Sequence, residues 1–152
     1  MPIVFWYLQG LLAPVIGGIA GYIAWRQWKT SSQKLKLDLF DRRFRVFQAV
    51  RDILGMMYTT VSDDKKLYEF LSQTRDVEFL FGAEIRDYVE TVWRHATRLS
   101  DAKKQLTAIL DTAPIETRQK LAQVETEEVQ WAFAETRVIA DKFKKHLDLS
   151  KL

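Results

Sequence analysis

No aspartate, glutamate, lysine or arginine occurs before Arg26, although the 152-residue chain carries 20 acidic and 23 basic side chains. Within that stretch residues 3–25 read IVFWYLQGLLAPVIGGIAGYIAW, and Gln9 is its one strongly polar side chain. As a helix these residues extend about 34 Å, enough to cross a hydrocarbon core of about 30 Å with some tilt. Trp6 and Tyr7 lie near one end, and Tyr22, Trp25 and Trp28 near the other, where amphipathic rings settle into the two headgroup layers. A cleaved signal peptide would want a basic leading region and a shorter apolar stretch, although Gly18-Ile19-Ala20 is a weak cleavage pattern. A buried core helix rarely runs this far without charge. The stretch therefore reads as a membrane anchor over 1–28, followed by a helical domain over 29–152.

Charge beyond the anchor sets the expected orientation. Residues 26–45 hold seven basic side chains, beginning with Arg26, Lys29, Lys34 and Lys36, against two acidic ones. Residues 46–152 are slightly acidic, so the overall charge of +3 belongs to the segment next to the anchor. By the positive-inside rule the larger part stays in the cytoplasm of a bacterial inner membrane and a short N-terminus crosses. Basic residues so placed either fix topology or attract anionic lipid at about 1 kcal/mol per charge. Gly10, Gly17 and Gly21 lie on a stripe of small residues within the anchor, a pattern that lets two membrane helices approach closely. Self-association of the chain through that face is the expectation.

After Trp28 the apolar residues recur at helical spacing. Phe40, Phe47 and Leu54, with Phe44, Val50 and Met57, predict a helix over about 32–58. No proline or glycine separates Trp25 from Ile53, so the anchor helix can continue into it. Ser62-Asp63-Asp64 offers caps for a short helix through Leu67, Phe70 and Leu71. A second long helix is expected from after Gly82 to Leu110, with Ile85, Tyr88 or Val89, Val92, Ala96, Leu99, Ala102 or Lys103, Leu106 and Leu110 on one face. A third is expected from Pro114 to Leu147, where Glu128 and Glu135 interrupt the apolar stripe. The short connection between the last two forces an antiparallel hairpin. The fold class is all-α: a single transmembrane helix continuing into an antiparallel helical bundle or coiled-coil hairpin.

The same residues leave little room for chemistry. There are no cysteines, and of six glycines only Gly55 and Gly82 lie outside the apolar run, so a phosphate-cradling loop is not available. His95 and His146 are the only histidines and lack metal-ligand spacing. His95 reads as a satisfied or solvated side chain, and Glu125, Glu127 and Glu128 as a solvated acidic face. No catalytic, cofactor or metal site is expected, and Arg42, Arg43 and Arg45 alternate with acids too closely to suggest nucleic-acid binding. One stretch stands apart. Thr74–Gly82 reads as irregular and sets Phe79 and Phe81 before Gly82; the two rings either plug the bundle end, with Gly82 permitting the turn, or form a partner-docking patch.

The run Lys34-Leu35-Lys36-Leu37-Asp38-Leu39-Phe40-Asp41-Arg42-Arg43-Phe44, the block Phe79-Leu80-Phe81-Gly82-Ala83-Glu84-Ile85 and the close Phe143-Lys144-Lys145-His146-Leu147-Asp148-Leu149 together resemble an uncharacterised family of small bacterial membrane-anchored helical proteins. The resemblance spans nearly the whole chain and implies an inner-membrane setting and no activity. The expectation is a non-enzymatic single-pass protein whose helical domain binds an unidentified protein or a second copy of itself, with the lipid bilayer as its other partner. The alternative is an effector or sensor that acts on anionic lipid through its basic segment, as in envelope stress or phage exclusion.

Overall fold

The computed structural model describes residues 3–59, 63–109 and 113–148, with side chains from residue 16 onwards. Among these residues there are helices and connections only: α1 (Ile3–Met57), α2 (Asp64–Thr74), α3 (Val77–Phe81), α4 (Ala83–Ala108) and α5 (Ile115–Lys144). The chain divides into two compact units, Met1–Asp38 and Leu39–Leu152.

The described part of the first unit is the N-terminal stretch of α1. From Ile16 to Ser31 every side chain is exposed, Ile16, Ile19, Tyr22 and Ile23 among them. Among the described residues no helix is long and apolar enough to cross a membrane. The side chains of residues 3–15, more than half of the expected span, lie outside the described residues, and Trp6 and Gly10 with them.

The second unit is built around the C-terminal half of α1. Val46, Val50, Leu54 and Met57 are buried to 1% or less of their surface, and each such side chain contributes about 1.5–3 kcal/mol through burial. Gly55 does not end the helix, which runs on to Met57; Thr59 closes it by returning its N–H and hydroxyl to the Met56 carbonyl. The α2 N-cap is Asp63, whose carboxylate accepts the Lys65 N–H at 3.0 Å. Leu67 and Phe70 then face the core from α2. Of the expected face of α4, Ile85, Val89, Val92, Ala96, Leu99 and Ala102 are buried and Leu106 is half-buried, while Leu110 lies outside the described residues. From α5 come Ala132, Ile139 and Phe143.

Two local expectations are corrected. Thr74–Gly82 is not irregular, because Val77–Phe81 forms a turn of helix whose Gly82 N–H returns to the Glu78 carbonyl at 2.9 Å. Glu128 is not on a solvated face; it is buried in the α4–α5 interface at 2% exposure.

Candidate functional site

Gly82 governs how Phe79 and Phe81 are presented. Its φ of +82° and ψ of −172° lie where a side chain is strained and glycine is not. That turn ends α3 and starts α4 in one residue, with the Arg86 N–H bonding the Gly82 carbonyl at 3.2 Å. Residues two apart on a helix point to nearly opposite sides. Phe81 accordingly packs inward, its ring 5.3 Å from that of Phe143 in an edge contact, while Phe79 is 89% exposed. The pair is thus divided between a core ring and a surface ring.

Around Phe81 the ends of three helices meet. Arg43 of α1 donates from Nε to the Leu80 carbonyl at 2.9 Å and from Nη1 to the His146 carbonyl at 3.0 Å. One guanidinium therefore serves carbonyls that the final turns of α3 and α5 would otherwise leave unbonded, and it also lies 5.7 Å from the Phe81 ring centroid. The His146 imidazole makes an edge contact with Phe81 at 5.4 Å. Its Nε2 is buried and has no hydrogen-bond partner. Burial, then the Lys145 and Arg43 cations, hold His146 below the ordinary histidine range, with the Glu84 carboxylate opposing them. Lys145 pairs with Glu84 and ties this turn to α4, holding the Glu84 carboxyl below its usual range. Farther along the seam Lys142 lies 4.4 Å over the Tyr88 ring and 3.8 Å from Glu135. The Tyr88 hydroxyl and Glu135 Oε2 are buried without a well-formed hydrogen bond, Lys142 being the ion-pair partner of Glu135. Burial first, and the Glu135 carboxylate second, push the Tyr88 phenol well above its usual range.

A second cluster joins α4 and α5 at mid-length. Glu128 Oε2 lies 2.5 Å from His95 Nδ1, and its Oε1 lies 3.2 Å from Arg98 Nη1. The His95 ring stacks on Trp131, with centroids 3.7 Å apart and planes 10° from parallel. Each oxygen of the buried carboxylate has a partner, so the desolvation cost of burying it is offset. His95 is therefore a satisfied residue rather than a solvated one. Sequence reasoning did not place Arg43 or Glu128 in the interior. The signal available was position: Arg43 precedes Val50 by seven residues and Glu128 follows Leu121 by seven, so each occupies a place on an apolar stripe.

The expected membrane-helix packing and interface residues within the described part all lie open. Among the described residues, apart from chain neighbours and the helix's own nearby backbone, nothing lies within 4 Å of a Cβ built on Gly17 or Gly21. Trp25 and Trp28 are 56% and 69% exposed, and Lys29 Nζ sits 5.7 Å over the Trp25 ring. The Arg26 carbonyl accepts from the Thr30 hydroxyl at 3.0 Å. An open cleft of about 540 Å³ between α1, α2 and α5 has Ile53, Met56 and Phe70 in its wall beside Lys66, Glu69 and Thr136. Among the described residues no group of three or more His, Cys, Asp or Glu is placed to hold a metal ion. No protein-family model, curated protein sequence or solved structure matches the chain.

Proposed function

We propose that this chain is a non-enzymatic interaction protein, tethered to a bacterial inner membrane by residues 3–25 and presenting its 39–152 unit to a protein partner in the cytoplasm. The observation that carries this reading is the set of unpartnered apolar side chains on α1: Ile16, Ile19, Tyr22, Ile23 and Trp25 are each 47–60% exposed. A lone helix with such a surface is costly in water, and lipid covers it at no cost to backbone hydrogen bonding. The rings of Tyr22, Trp25 and Trp28 beside Lys29 suit a headgroup layer. The resemblance to small bacterial membrane-anchored proteins points the same way. Self-association through Gly17 and Gly21 belongs to this reading, since both are open to a second helix.

Phe79 is the docking residue of choice on the 39–152 unit, because a fully exposed ring on a short, Gly82-terminated helix has no role in the core. The test has two arms. The double variant Ile16→Arg/Ile19→Arg, at roughly 3 kcal/mol per charge within a bilayer, moves the protein from the carbonate-resistant membrane fraction to the supernatant. If the protein is found in the supernatant without any substitution, the tether is refuted. A photo-crosslinking residue at position 79 in living cells then captures a specific partner. If adducts at 79 are no more specific than those at exposed Tyr68, the docking role of Phe79 falls.

A second reading rests on Lys29, Lys34 and Lys36, all exposed. In it this segment binds anionic lipid. Replacing all three by glutamine abolishes binding to vesicles rich in anionic lipid while sparing binding to neutral ones. Equal binding to both by the unaltered protein removes this reading.

A further inference from the structure

We propose that the C-terminal turn of α5 is an acid-released clasp: when His146 takes up a proton, residues 143–148 leave α1 and α3 and uncover the aromatic surface formed by Phe47 and Phe81. The clasp consists of the Arg43 hydrogen bonds to the Leu80 and His146 carbonyls together with Phe143, whose ring meets Phe47 at 5.5 Å and Phe81 at 5.3 Å. A neutral imidazole suits the place it occupies. A charged one does not, because its buried Nε2–H would have no acceptor.

The charges that face His146 reinforce the effect. From α1 comes Arg43, from the clasp itself Lys145, and from α4 Glu84; α3 contributes the uncharged Phe81. Two cations therefore oppose a single carboxylate, and that carboxylate is already paired with Lys145. The direction in pH follows from linkage. The folded state lowers the His146 pKa from its ordinary 6.5, so the open state binds the proton more tightly. The closed clasp is fully favoured above that value and loses stability as pH falls below it, toward the depressed folded-state value. The consequence is an aromatic surface exposed only in acid, distinct from the permanently exposed Phe79.

The test is amide hydrogen exchange of the full chain in mild detergent at about pH 7.5 and about pH 5, corrected for intrinsic rates, with buried α4 residues 89–102 as the internal reference. The expected result is a loss of protection of about tenfold over 143–148 on acidification, the effect of one pH unit of linkage, with α4 unchanged. His146→Gln, which cannot charge, removes that loss. The second variant keeps the histidine: Glu84→Gln takes away a facing carboxylate and lowers the closed-state pKa of His146 further, so the ratio of protection between the two pH values grows while the onset, set by the open state, stays in place. No acid opening in the unaltered protein, or the same opening in His146→Gln, overturns the proposal. A protection ratio in Glu84→Gln no larger than in the unaltered protein overturns the electrostatic account of it.

Discussion

The middle of α5 and its C-terminal end bury polar groups in opposite ways. At mid-length Glu128 is the more deeply buried, yet both its oxygens have partners and the ring of His95 is stacked on Trp131. Around Phe143 the polar groups lie nearer the surface, yet Tyr88 Oη and His146 Nε2 are buried without a well-formed hydrogen bond, and Glu135 Oε2 has Lys142 no closer than 3.8 Å. Depth of burial is therefore a poor guide to which seam is under tension; satisfaction of hydrogen bonds is the better one. The satisfied cluster fixes how α4 and α5 face each other, and the unsatisfied seam is held by aromatic packing and the Arg43 bridge.

That contrast can be broken or sharpened by substitution. The largest effect belongs to Phe143→Ala, because the ring is fully buried and meets Phe47, Phe81 and Tyr88. Urea unfolding should show a loss of about 3–5 kcal/mol. A loss below about 1 kcal/mol would mean that packing does not hold this end. Next comes His95→Ala, which leaves the buried Glu128 carboxylate with Arg98 alone and should cost about 2 kcal/mol. Glu128→Leu should cost less than His95→Ala, since the groups it strands, the His95 ring nitrogen and the Arg98 guanidinium, are partly exposed and can be hydrated. The reverse order, read from the same unfolding curves, would show that the mid-length cluster is a net source of stability.

At the other seam Tyr88→Phe removes a hydroxyl without a well-formed hydrogen bond and should leave stability unchanged or raise it by roughly 0.5–1 kcal/mol. A loss of more than about 1 kcal/mol would reveal a hydrogen bond there and erase the difference between the two seams. The smallest effect is that of Phe79→Ala, within about 0.5 kcal/mol of the unaltered protein. Measured beside Phe81→Ala, at about 3–5 kcal/mol, it separates the surface ring from the core ring in one experiment.

The Phe79–Phe81 pair shows why the candidate site was only half legible. In an extended or irregular segment residues two apart share a side, and the two rings read as one unit. In the helical turn that forms, they diverge. The signal that Val77–Phe81 is helical was weak, because five residues carry too little periodicity to register. Arg43 and Glu128 were hidden for a different reason. A charge on an apolar stripe reads as an interruption until the partner that neutralises it is known, and those partners lie 37, 103 and 33 residues away.

What the sequence determined alone was local. The charge-free run before Arg26, the spacing of Phe40, Phe47 and Leu54, the face of α4 and the short link at Thr112-Ala113-Pro114 each act within a few turns of helix. Such patterns dictate helices and a hairpin wherever the chain is placed. Only the tertiary structure decided that Glu128 is interior, that Arg43 joins the ends of α3 and α5, that Phe79 faces out, and that His146 Nε2 has nothing to bond. Each of these depends on how one helix is rotated against another, and that rotation is set by the summed packing of side chains far apart in the chain.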